Sequence, residues 1–291
     1  MKRLLALICF CVLLPIVPIA HAASEIGYVE DFAGPASGYR VIRSGTEVAM
    51  TICLPLMGGD KVQVIAPNGR IVLRLAGRSD PVVRTARDNE TPLEETPGST
   101  TYWSAVFDWA VATLSPLDEQ RRERISTTIR DDGGGDFGVP LLRSLQTMAA
   151  GERSISIGWT KPSQPVLVSL STKSGKQLVS GKGVGGLWTS PLVSLKPGSY
   201  RLEVAAPGAK VIGRLEVVKP QRLPDWPKDL ANEDGSDPLA AAARALWLAS
   251  QGDGAYALEA FQRVARSQPL GPTAVVRAAL INGARINPPE H

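Results

Sequence analysis

Twice along this chain, apolar residues alternate with polar ones over short runs closed by Ser-Gly, Asn-Gly or Pro-Gly turns. A strand places successive side chains on opposite faces, so period-two alternation broken by such turns commits the backbone to antiparallel sheets. In the first block Ile26, Tyr28 and Glu30 alternate with Gly27 and Val29, Tyr39 to Arg43 precede Ser44-Gly45, and Lys61 to Ile65 precede Pro67-Asn68-Gly69. Ile71, Leu73 and Leu75 then alternate with Val72, Arg74 and Ala76. In the second block Ile155, Ile157 and Trp159 share one face of a strand, and Val166 to Leu170, Gln177 to Val179, Tyr200 to Val204 and Arg214 to Val218 follow at sandwich spacing. The pattern predicts an α+β chain with an N-terminal antiparallel β domain over 23–87, a middle β-sandwich over 151–219 and a C-terminal helical hairpin or three-helix bundle over 238–287. Residues 88–150 are expected to be a linker and helical connector, and 220–237 a second linker.

The first residues are read apart from the fold. Lys2 and Arg3 precede an apolar run from Leu4 to Leu14, Pro15 and Pro18 break it, and Ala20-His21-Ala22 offers small residues where a signal peptidase reads. This predicts a secretory leader over 1–22, cleaved after Ala22, and a periplasmic or otherwise exported mature chain. The competing reading is a retained anchor, because no charged residue lies between Arg3 and Glu25.

Cleavage would leave His291 as the sole histidine and Cys53 as the sole cysteine. One terminal imidazole argues against Ser-His-Asp, Cys-His and His-rich zinc chemistry, and one thiol cannot close an internal disulfide. Stability must then come from apolar cores, and Cys53, between Ile52 and Leu54, is expected to be a buried, inert thiol. No Ser-x-x-Lys pair follows the leader, and the adjacent acids Glu94-Glu95 and Asp131-Asp132 fall in expected loops, so no catalytic residue is assigned. The acidic stretch Asp131 to Asp136 lacks calcium-loop spacing, and neither metal nor cofactor is expected. Gly181, Gly183 and Gly186 satisfy G-x-G-x-x-G between strands rather than before a helix, which argues for a hairpin and against a nucleotide site. Without Lys2 and Arg3 the chain carries 30 basic against 28 acidic residues, a balance that argues against nucleic acid as a partner.

Aromatic density falls on the helical pattern from Thr101 to Leu114. Trp103, Phe107, Ala110, Val111 and Leu114 form one face, while Tyr102, Val106 and Trp109 form a second stripe. Such a helix is wedged between domains or docks a partner on its second face. Leu117 to Ile129 continues as a charged helix. Further on, Asp237 is expected to cap a helix beginning at Pro238, Gly252 to Gly254 to stop it, Ala255 to Gln268 to return antiparallel, and Pro272 to Arg285 to add a third helix.

The order Gly27-Tyr-Val-Glu-Asp-Phe-Ala-Gly, Val41-Ile-Arg, Leu54-Pro-Leu-Met-Gly-Gly-Asp-Lys-Val and Asn68-Gly-Arg-Ile-Val-Leu-Arg-Leu resembles a FecR-type domain, the extracytoplasmic β module of FecR-like regulators and other exported bacterial proteins. The likeness covers about 60 residues. It departs at Leu75-Ala-Gly-Arg, where the family turns through an acidic residue and glycine, and a leader at Met1 leaves no cytoplasmic anti-sigma segment. The resemblance therefore implies only a β scaffold, with Gly59-Asp60 and Asn68-Gly69 as turn formers. Leu195-Lys-Pro-Gly-Ser-Tyr200 is similar to the tyrosine corner of immunoglobulin-like sandwiches, which implies an architectural Tyr200. Ala257, Phe261 and Pro269, with Trp247 and Leu248 on the preceding helix, resemble part of a tetratricopeptide repeat. The expected role is a non-enzymatic exported protein-interaction or sensory accessory module with an envelope protein partner, and Tyr102, Trp109, Trp247 and Phe261 as candidate contacts. Binding of peptidoglycan or another envelope polysaccharide is the alternative.

Overall fold

Seven short strands form the first module: β1 (Glu25–Phe32), β2 (Tyr39–Arg43), β3 (Thr46–Val48), β4 (Pro55–Met57), β5 (Lys61–Val64), β6 (Arg70–Leu75) and β7 (Val82–Thr85). They belong to a computed structural model that describes residues 25–88, 92–93, 105–128, 137–160, 165–231, 237–268 and 270–289. One sheet runs β4-β1-β6-β7 and another β3-β2-β5, all antiparallel. At the β2–β3 hairpin Ser44 and Gly45 take φ of 49° and 84°, a twist that suits a two-residue turn. Asp60, 1% exposed, closes the β4–β5 turn by accepting from the Met57 N–H at 2.9 Å and from the Arg43 guanidinium at 3.1 and 2.9 Å.

Alternation fails in β1, where Ile26, Gly27, Tyr28 and Val29 are all buried. Ile26 and Val29 join the module's own core with Val41, Leu56, Val62 and Leu73, whereas Tyr28 joins the core built around the helices. Helices cover what would otherwise be a solvent face. The expected linker from residue 88 is also anchored: Leu93 is 3% exposed, its N–H donates to the Asp60 carbonyl at 2.9 Å, and its carbonyl accepts from Gly59 at 3.0 Å.

Within the expected connector lies one α-helix among the described residues, α1 (Ala105–Thr128), which passes through Pro116 without ending. Phe107, Ala110 and Leu114 are at most 2% exposed, on the face expected for them. Tyr102, Trp103 and the loop 131–136 lie outside the described residues.

The sandwich comprises β8 (Gln146–Ala149), β9 (Gly151–Arg153), β10 (Ser156–Gly158), β11 (Val166–Thr172), β12 (Gln177–Gly183), β13 (Leu187–Thr189), β14 (Val193–Leu195), β15 (Gly198–Ala206) and β16 (Ala209–Val218). A five-stranded sheet, β12-β11-β15-β16-β8, stands with the pairs β10-β13 and β14-β9. β8 runs parallel to β16, so the sheet begins inside the segment expected to be connector. The Tyr200 hydroxyl donates to the Lys196 carbonyl at 2.8 Å and accepts from the Lys196 N–H at 3.1 Å, locking the turn before β15.

The glycines of the nucleotide-like motif have a packing reason. A Cβ on Gly183 would stand 2.5 Å from the Trp159 ring, and one on Gly181 would stand 2.6 Å from Trp188 Nε1. Two indoles need bare backbone there. Gly185 and Gly186, at φ of 71° and 83°, then turn the chain from β12 to β13 as a hairpin.

Among the described residues that follow, the α-helices are α2 (Lys228–Ala231), α3 (Pro238–Ser250), α4 (Ala257–Val264) and α5 (Gly271–Ile281). Asp237 caps α3, accepting from Leu239 N at 2.8 Å and Ala240 N at 2.9 Å, with Pro238 next in the first turn. α3, α4 and α5 pack on one another, α1 packs on α3 and α5, and α4 packs on β8 and β10. Within the expected linker 220–237, α2 is anchored. Leu230 of α2 is fully buried, and its carbonyl accepts from Arg244 at 3.0 and 2.7 Å. One apolar core thus runs from Tyr28, Ile52 and Cys53 through Phe107, Leu114 and Leu246 to Met148 and Trp159. At roughly 1.5–3 kcal/mol per buried large apolar side chain, this core couples the three parts strongly.

Candidate functional site at the junction of the first module and helix α1

A cavity of about 490 Å³ lies where the first module meets α1. Phe32, Met50 and Ile52 supply its apolar floor, Pro35, Ala36 and Pro116 its walls, and Asp118, Glu119, Arg122 and Glu123 its rim. Pro116 has no N–H, so α1 loses one rung of its ladder beside the groove. Ser115 turns its hydroxyl back to the Val111 carbonyl at 3.0 Å.

Arg122 holds the rim in place. Its Nε donates to Asp118 Oδ2 at 2.6 Å, and its terminal nitrogen donates to the carbonyls of Phe32 and Gly34 at 2.9 and 3.0 Å. The guanidinium carbon lies 3.8 Å from the Phe32 ring centroid, and Asp31 stands 3.8 Å away. Burial pushes the Asp31 carboxyl up, and Arg122 opposes that shift. Asp118 is 3% exposed, and its Oδ1 accepts no hydrogen bond, with Arg121 3.6 Å off. Such a site is a preformed apolar slot with an acidic edge. Its helix hydroxyl, Ser115, is committed to a carbonyl.

The residues expected from sequence to contact a partner are placed differently. Trp109 and Trp247 are half-buried against each other, edge to face at 6.5 Å and 86°. Their indole N–H groups donate to the carbonyls of Asn287 at 3.3 Å and Asp225 at 3.2 Å. This pair ties α1 and α3 to flanking segments. Phe261 is fully buried, against Gly158 of β10, so α4 presents it to the sandwich and not to a partner. Tyr102 lies outside the described residues. The groove residues come from 32–52 and 115–123, and the one sequence sign of them was a proline inside an otherwise helical run.

Cys53 is fully buried with φ of 58°, and its N–H donates to the Val29 carbonyl at 2.8 Å. Burial pushes its thiol well up, and the carboxylates of Asp118, Asp237 and Glu30 push it further. Among the described residues no group of three or more His, Cys, Asp or Glu could hold a metal ion, and no helix is long and apolar enough to cross a membrane.

No family model matches the chain, and no curated protein matches it. Among solved structures, a Bacteroides ovatus GH5 xyloglucanase in complex with a XXXG heptasaccharide is similar over 31% of this chain at 16% identity and a TM-score of 0.23. This chain spans only 20% of that enzyme's length. The M1 domain from titin is similar over 30% of this chain and 96% of its own length, at 14% identity and a TM-score of 0.23. Domains 4 and 5 of the S-layer protein SbsC cover 64% of this chain and 79% of their own, at 12% identity and a TM-score of 0.19.

Proposed function

We propose that the mature chain is a non-enzymatic exported envelope protein in which a FecR-like first module and an immunoglobulin-like sandwich, fixed to a helical bundle, hold a protein partner as an interaction or sensory accessory module. The observation that carries this reading is the junction groove, a preformed apolar slot of about 490 Å³ with its rim pinned by Arg122. Ligand sites are concave and mostly apolar, with a few fixed polar groups. The groove fits that description. A polysaccharide site would offer an aromatic face for a sugar ring to stack on, but the face of Phe32 is covered by the Arg122 guanidinium, which favours the protein partner.

Export rests on the leader pattern at residues 1–22, and sequencing of the exported chain should begin at Ala23. Docking is tested by a photocrosslinking residue at Ala36, in the groove wall, or at Val184, 71% exposed on the β12–β13 turn. Adducts from Ala36 and none from Val184 support the reading. Equal adducts from both positions, or none from Ala36, refute it.

A further inference from the structure

The groove's charges point to the chemistry of what it holds. Three carboxylates line it, from Asp118, Glu119 and Glu123, against the single guanidinium of Arg122. That guanidinium is already engaged by Asp118, two carbonyls and the Phe32 ring, with Asp31 close by. Glu119 is exposed at the rim. Beneath it Asp118 carries the buried carboxylate oxygen that accepts no hydrogen bond. An acidic groove is a local departure for this chain, whose formal net charge is +4, so general attraction of cations to the molecule cannot account for selectivity there.

We infer that the groove takes a basic, apolar segment of a protein partner, one apolar side chain lying over Met50 and Ile52 and a flanking lysine or arginine meeting Glu119 beside Asp118. The inference rests on the groove being the docking surface. An apolar anchor entering a slot supplies most of the affinity, and the charge match sets approach and register. Asp118 itself is held by Arg122 at 2.6 Å and Arg121 at 3.6 Å, so Glu119 is the carboxylate left to meet the cation. An acidic segment would meet like charge at every rim position except the occupied Arg122.

Fluorescence anisotropy of the mature chain with a labelled peptide alternating lysine and leucine tests this. Two control peptides replace lysine by glutamate, or leucine by serine. The lysine–leucine peptide should bind at least tenfold more tightly than either control, and added salt should weaken it. Glu119→Lys should weaken it at least tenfold, while Glu152→Lys, an exposed acid on β9, should leave it unchanged. Equal binding of the glutamate peptide, or equal effects of the two lysine substitutions, would overturn the inference. Adducts from the Ala36 crosslinker that map to an acidic partner segment would also overturn it while leaving docking in place, whereas the absence of any adduct from Ala36 defeats docking itself.

Discussion

The hydroxyl of Tyr28 lies 3.2 Å from one carboxylate oxygen of Asp237 and 3.3 Å from the other, joining the first strand to the N-cap of α3 across 209 positions of sequence. The same hydroxyl accepts from Leu239 N at 3.3 Å, while Asp237 accepts from Leu239 and Ala240. A single carboxylate therefore starts the helix and holds the β module against it. Tyr28→Phe should lower stability by about 1–2 kcal/mol in urea unfolding, because it removes a buried hydrogen bond while keeping the ring.

Alkaline pH probes the same contact. Burial, then Asp237, raises the Tyr28 pKa well above its usual value. In the unfolded chain a tyrosine ionises near pH 10, so above that pH the unfolded state releases a proton that the folded state retains. This contribution is fully present below about pH 10 and is lost as pH rises above it. Melting temperature should fall between about pH 10 and 11, and less steeply in Tyr28→Phe than in the parent. Identical slopes would contradict the buried contact.

Cys53 should resist alkylation by iodoacetamide in the folded chain and react fast in urea, since its thiol is fully buried and its pKa is raised well above the usual range by burial. Rapid labelling without denaturant would place the thiol at the surface.

Phe107 and Trp109, one from each face of α1, both pack against the rest of the chain. Phe107, 2% exposed, should cost about 3–5 kcal/mol when cut to alanine, and Trp109, half-buried on Trp247, roughly 2 kcal/mol. Thermal unfolding of the two variants checks this. A Trp109→Ala protein as stable as the parent would restore the outward docking stripe.

α4 is fixed to the sandwich through Glu259, 1% exposed, which accepts from Arg153 at 2.8 Å and from Ala149 N at 3.2 Å. Gln262 bonds both backbone groups of Ser156, at 2.7 and 2.8 Å, and Gln146 accepts from Leu258 N at 2.9 Å. Arg153→Ala should destabilise by about 3 kcal/mol, because it leaves a buried carboxylate with the Ala149 N–H and, as cation, Arg263 at 3.4 Å. Arg153→Met with Glu259→Leu should recover part of that loss, Ala149 N then lacking its acceptor. No recovery in the double variant would mean that the ion pair, and not the burial of charge, carries the stability.

Local patterns were legible from residues alone because they are set within a few positions. The Ser44-Gly45 turn, the Asp237 cap and the Tyr200 corner are each closed by groups close in sequence. What sequence concealed is closed over distance. β8 is four residues long and pairs with β16 far along the chain. Phe261 sits on an apolar helix face whose covering partner, Gly158, no helical pattern names. Helical spacing showed that α1 has an apolar face and continues past Pro116, yet the groove also needs Arg122 to reach the carbonyls of Phe32 and Gly34, about 90 positions earlier in the chain. The candidate site was hidden for that reason, since it belongs to neither element alone.

Hydrogen exchange measured by mass spectrometry on the mature chain, alone and with the partner captured through Ala36, tests the docking account most directly. The account predicts slowed exchange confined to residues 32–36, 50–52 and 115–123, with the outer face of the five-stranded sheet unchanged. Protection on the sandwich or around Trp247, with the groove unaltered, would contradict it.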